Sequence, residues 1–229
     1  RLQRAAIRAL GYLEQDSYAD EVAGFLSSEH LPLRNAAIFA LGKMNAVKYA
    51  DEIAPFLSSE TDYLRASAAQ ALGQIGAVDY VEDLAELLAD GNYTVLENAI
   101  VALGELQDAT VAPMLAGALK YQLDSVRQAA AMTLIKLGGE GSLEVFKEVN
   151  SDEVHLFCSD IVDYLYSQKG KEYIPFLAVF LDDSNTGLRS KAIRKVGEAE
   201  PHVYQSDFVE GLESEDGEVR AWSGIALVE

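Results

Sequence analysis

The residues able to do chemistry in this chain are few: three histidines, one cysteine and a large excess of acids. His155, Cys158 and Asp160 stand close together and invite a soft-metal reading. A closed zinc site takes four ligands, usually as two Cys/His pairs at fixed spacing, and the sequence has no second pair. His30 and His202 fall in equivalent loops of well-separated repeats. With stacked helices about 8–10 Å apart, those loops share no metal within one chain. Cys158 has no evident base to activate it as a nucleophile and reads as a small packing residue. Carboxylate pairs occur throughout a chain with 37 acids, so they say nothing about acid–base catalysis. The glycines recur in turns and form no phosphate-cradling loop after a strand. The expectation is no catalytic set, no metal and no cofactor: a chain that is not an enzyme.

Composition narrows the partners. The 229 residues carry a formal charge of −19, with 49% hydrophobic content. A field of that sign repels phosphate backbones and anionic lipid, which argues against nucleic acid and membrane as partners. It attracts a basic protein or peptide; equally, acids keep a long apolar-cored rod in solution. The apolar runs are too short and too often broken by charge to span a bilayer. One cysteine rules out an internal disulfide framework. These features, with no secretory signal visible, lead to a cytoplasmic expectation. The chain starts at Arg1 and not Met, so it reads as a piece of something longer.

The elements that position every side chain repeat with a constant period. Leu10, Leu41, Leu72, Leu103, Leu134, Leu165, Val196 and Leu227 form one column with steps of 31 residues. An unbroken period over the whole chain is the signature of a solenoid. Each period holds two segments. In the first, Leu33, Ala36, Ala37, Ala40, Leu41 and Met44 follow the spacing of an amphipathic helix. The second opens at Tyr18, Tyr49, Tyr80, Tyr173 and Tyr204, and Ile53, Phe56 and Leu57 again show helical spacing. The expected fold is all-α, a right-handed solenoid of seven to eight 31-residue helical hairpins, one elongated unit over residues 1–229. Asp62, Asp124 or Ser125, Asn185 and Asp216 are expected to cap first helices. Pro113 and Pro175 belong near the start of a second helix, whereas Pro55 should break one. Residues 138–170 are irregular: three glycines in the turn, a short second helix over 142–149, Asn150 in a leucine column, and Asp160 and Asp163 on the following helix at 157–166. That repeat is either drifted packing or a bend or partner-specific patch.

The motif Val/Leu-Arg-x-x-Ala-Ala-x-Ala-Leu-Gly at 33–42, 64–73, 126–134, 188–197 and 219–227 resembles the short HEAT-like repeat of the phycobilisome bilin-lyase type. The resemblance covers essentially the whole chain and is similar to armadillo-like superhelices in architecture. It implies that an arginine column (Arg34, Arg65, Arg127, Arg189, Arg220) braces successive repeats through acidic loops, and that the first helices line the concave face. Gln3, Leu96 and Cys158 depart from that column. It also raises the alternative of a lyase-like protein that handles or chaperones a linear tetrapyrrole on a phycobiliprotein.

Function is then sought on the concave face. The column Arg8, Phe39, Gln70, Val101, Met132, Asp163, Arg194, Ile225 is not needed for the core, and a solvated column should not hold so many apolar residues. Tyr12, Tyr63, Asn98 and Leu156 flank it. Aligned exposed apolar residues mark a protein-binding surface; the alternative is that superhelical curvature buries them. Charge along the face is graded, with Arg1, Arg4 and Arg8 near one end and nine acids against Arg220 in 198–229. Trp222, Ile225 and Leu227 face a further repeat, a partner or another copy, so association through uncapped ends is open. The reading is a scaffold binding a protein or peptide through Tyr12, Phe39, Tyr63, Gln70, Asn98, Val101, Met132, Asp163 and Trp222.

Overall fold

The computed structural model describes residues 1–151, 162–163, 165 and 171–228. Readings that rest on His155, Leu156, Cys158 and Asp160 lie outside the described residues, as does most of the expected helix at 157–166. All regular structure among the described residues is helical. In chain order the α-helices are α1 (Leu2–Tyr12), α2 (Ala19–Ala23), α3 (Leu31–Lys43), α4 (Ala50–Ile53), α5 (Asp62–Ile75), α6 (Val81–Glu86), α7 (Tyr93–Glu105), α8 (Ala116–Leu119), α9 (Asp124–Leu137), α10 (Gly139–Ser151), α11 (Ile174–Ala178), α12 (Thr186–Ala199), α13 (Gln205–Gly211) and α14 (Gly217–Ala226). The chain divides into two compact units, Arg1–Ala118 and Leu119–Glu229. Each is a stack of helical hairpins of solenoid type. In the first unit α1, α3, α5 and α7 pack side by side; in the second α12 packs on α14.

The period of the sequence is the period of the core. Leu41, Leu72, Leu103, Leu134, Leu165 and Val196 are fully buried, as are Ile53, Leu84, Leu115, Phe146, Leu177 and Phe208 on the second helices. The glycine that closes the Ala-Leu-Gly motif at Gly11, Gly42 and Gly73 has a packing reason. A Cβ on Gly42 would lie 2.8 Å from Ala71 Cα, and one on Gly73 would lie 2.6 Å from Ala102 Cα. The bare glycine lets neighbouring first helices touch backbone to backbone.

The first helices α1, α3, α5, α7 and α9 share an ending that α12 lacks, since Glu200 in the same column has φ −145°. Glu14, Asn45, Gly76, Gln107 and Gly138 all have positive φ and stand 31 residues apart. A left-handed residue there turns the chain so that the N–H of the next residue reaches back, as Ala46 does to Leu41 O and Ala77 to Leu72 O, both at 3.0 Å. A tight 3₁₀ turn then leads into the second helix, ending at Tyr18, Tyr49 or Tyr80. Two of these tyrosines tie repeats together: the Tyr80 hydroxyl donates to Asp51 at 2.7 Å, and Tyr49 donates to Asp20. Those bonds to carboxylates hold both phenols above their ordinary pKa.

The structure corrects several local expectations. Asn185 and Asp216 do cap α12 and α14, each accepting from two backbone N–H groups. Asp62 and Asp124 do not cap. They stand one residue inside α5 and α9, where they pair with Arg65 and Arg127. Asn92 supplies a cap for α7. Pro55 ends α4 and opens a 3₁₀ segment at Ala54–Ser58, and Pro175 sits in the first turn of α11. Pro113 is different: it lies inside a 3₁₀ helix, Ala109–Leu115, and α8 begins only after it. The second helix expected to be short, at 142–149, is α10, thirteen residues long. It has neither the tyrosine turn nor the proline that shortens its counterparts. Phe146 of α10 anchors it, meeting Phe176 at 5.4 Å and Phe180 at 6.0 Å edge-on.

Candidate functional site

The arginine column works on the loops. Arg65 Nη1 donates to Ser59 O at 2.7 Å, Arg127 Nη1 to Tyr121 O at 2.7 Å and Arg220 Nη1 to Ser214 O at 2.7 Å; Arg34 Nε donates to Ser28 O. In each case the acceptor stands six residues earlier, so the guanidinium grips the loop that leads into its own helix. The side chain at that loop position closes a small turn, as when Thr61 N donates to Ser59 Oγ and Asn92 N to Asp90 Oδ1. Arg65 also reaches the next loop, with Nε 2.7 Å from Asp90 Oδ2 and Nη2 3.1 Å from Oδ1. The Arg65 guanidinium holds the half-buried Asp90 carboxyl below its ordinary pKa, and Asn92 closes the network by donating to Asp62 at 2.8 Å. Arg189 presents no such bond from Nε.

The residues expected to bind a partner lie on the first helices, outside the core. Val101 is 47% exposed, Met132 36% and Ile225 46%, so curvature does not bury this column. Gln70 is half-buried and Asp163 is exposed, where it pairs with Lys191. Phe39 is half-buried under its own neighbours. Its ring meets Tyr12 at 5.2 Å, the Arg8 guanidinium lies 4.3 Å over it, and Lys43 Nζ is 5.9 Å away. Trp222 is capped in the same manner by Arg194 at 4.7 Å, and Arg194 in turn pairs with Glu198. Asn98 turns back on its own helix, donating to Thr94 O at 2.7 Å. Tyr63 is exposed beside an open cleft of about 530 Å³ lined also by Arg4, Arg8, Pro32 and Asn35. Asn35 was not singled out from sequence, and Arg4 and Arg8 were noted for the charge graded along the face but not as binding residues. The signal was present, since α1 and α3 contain no acid at all. Among the described residues no three His, Cys, Asp or Glu side chains converge on a point that would hold a metal ion, and no helix is long and apolar enough to cross a membrane.

Paired helices at a fixed period, one packed face and one presented face, define the class: a helical repeat protein. The family model for HEAT repeats matches residues 1–73, 50–135 and 81–157, and the chain belongs to that family. Comparison with curated proteins gives no match. Solved structures are similar in fold. The complex of CpcE and CpcF of phycocyanin lyase from Nostoc sp. PCC7120 aligns with TM-score 0.57 and 18% identity, over 99% of this chain and 88% of that one. An engineered protein aligns with TM-score 0.53 and 18% identity, over 97% and 73%. The bilin-lyase type of repeat suggested by the motif is therefore matched in architecture.

Proposed function

We propose that the chain is a non-catalytic interaction scaffold that holds a partner protein or peptide on the exposed face of its first helices. One position of the repeat, held by Phe39 and Val101 in the first unit and by Met132 and Ile225 in the second, carries this reading. These residues recur at one position of the repeat, the core does not use them, and three of the four are more than a third exposed. Within each unit, stacked repeats present such side chains at a fixed pitch, an arrangement suited to an extended partner. Packed apolar and aromatic anchors ringed by polar groups supply most of the energy of such contacts. The alternative of handling a linear tetrapyrrole rests on the family resemblance alone.

Site-specific photo-crosslinking in cells tests the scaffold reading. A benzophenone side chain at position 101 or 132 should give adducts with a discrete polypeptide. The same probe at Glu82, exposed on the second helix α6, should not. Equal labelling at all three positions, or none, would refute the assignment of the first-helix face.

A further inference from the structure

The charge of this protein is segregated. The seven described first helices (α1, α3, α5, α7, α9, α12 and α14) contain twelve basic and six acidic residues, in a chain with 18 basic and 37 acidic residues overall. The acids lie mostly on second helices and loops. Within the first unit, α1, α3 and α5 together hold five basic residues and one acid, Asp62, and that acid is taken by Arg65 and Asn92. Screening in physiological salt falls off over about 8 Å, so a docking segment feels this local surface more than the total of −19. The basic partner that net charge suggests does not suit this face.

The cleft of about 530 Å³ in this region is lined by donors. Arg4, Arg8, Pro32, Asn35 and Tyr63 surround it, with no carboxylate among them. Arg4 is exposed and makes no ion pair among the described residues. Arg8 Cζ lies 4.3 Å over the centre of the Phe39 ring, and one of its nitrogens reaches the Tyr12 hydroxyl at 3.5 Å. Held over the ring, the guanidinium keeps further N–H donors for a carboxylate, which arginine can bind through two oxygens at once. The carbonyl of Asn35 accepts from Ser67 at 2.6 Å, which leaves its amide group as a further donor.

We propose that this cleft receives an acidic segment of a partner protein, with two of its carboxylates seated on Arg4 and Arg8. The two arginines are four residues apart on one helix, so their Cβ atoms stand about 5–6 Å apart. Carboxylates at i, i+4 of a helical segment, or at i, i+2 of an extended one, match that spacing. Tyr63 and Pro32 receive the apolar side chains between them. The proposal rests on the scaffold reading and names the chemistry of its partner.

An array of random 12-residue peptides probed with the fluorescently labelled chain tests it. Selected peptides are then titrated in solution by anisotropy. The expected selection is acidic, with paired Asp or Glu at the stated spacings. Arg4→Glu and Arg8→Glu should each weaken the selected peptides at least tenfold, and a peptide with Lys in place of one acid should regain binding to R4E. Arg4 makes no hydrogen bond or ion pair among the described residues that R4E would remove, and circular dichroism checks that the variant is folded. Selection of neutral or basic peptides that V101D weakens would overturn the acidic-segment proposal and leave the scaffold reading standing. Selection of nothing would overturn both. Self-association of the chain that R4E abolishes, without acidic peptides in the selection, would assign the cleft to a second copy and overturn the proposal.

Discussion

Substituting Gly73 by alanine sets two effects of known size against each other. Alanine is favoured over glycine in a helix interior by about 0.8–1.0 kcal/mol, and less at Gly73, which stands in the last turn of α5. The new Cβ, however, would sit 2.6 Å from Ala102 Cα, 2.7 Å from Ala102 Cβ and 2.8 Å from Glu105 Oε2 on α7. Carbon atoms rest at about 3.5–4.0 Å, so α5 and α7 would have to part by about 1 Å. The contact met first is backbone, which cannot rotate away. Overpacking of this kind costs about 1–3 kcal/mol, and the net expectation is a loss of about 1–2 kcal/mol. Gly117→Ala is the control. It lies in α8 with nothing within 4 Å of the added Cβ, and it should gain up to about 1 kcal/mol. Urea unfolding followed by circular dichroism measures both. A Gly73→Ala protein as stable as the parent would refute the claim that close approach, rather than turn geometry, demands glycine in this column.

Two further outcomes follow from local structure. Gln107 carries a positive φ of 55° between α7 and the next turn; Gln107→Gly should stabilise by about 1 kcal/mol, since only glycine enters that region without strain, and a thermal melt reads the gain. The Arg65–Asp90 pair should make stability pH-dependent. Asp90 titrates below its ordinary 3.8 in the folded chain because Arg65 hydrogen-bonds the ionised form. Its contribution is therefore complete above the unfolded value and is lost as pH falls through the lower folded value. Asp90→Asn should cost about 1–3 kcal/mol at pH 7, and the gap between parent and variant in urea unfolding should close as the pH is lowered below 3.8. A gap that stays constant with pH would show that the charge on Asp90 contributes nothing.

Much of the fold was legible because a 31-residue period states the same local facts many times. The leucine column could be read as core since one face of each helix must be buried in every repeat. Caps were less legible. Asn185 and Asp216 were found, yet Asp62 and Asp124 were placed one residue early, because an acid in the first helical turn and an acid at the cap look alike without knowledge of where the backbone turns. The length of α10 escaped for a related reason: glycines at 138, 139 and 141 suggested a turn running up to a short helix, while Phe146 and its contacts with Phe176 and Phe180 come from residues distant in sequence.

The candidate face shows the same division. Which positions are spare could be deduced from sequence, since a side chain unused by a repeating core must point elsewhere. Whether a spare residue is open was decided by neighbours one period away. Val101 and Met132 stand exposed, whereas Phe39 lies under Arg8 and Tyr12. Net charge pointed to a basic partner, yet the acids gather on second helices and loops and leave Arg4 and Arg8 beside an open cleft. Sequence by itself determined the repeat, the helix pair and the core column, because these depend on spacing along one chain. Tertiary structure decided which side chains shield one another and how charge sorts between faces, because those depend on residues that only stacking brings within a few ångströms.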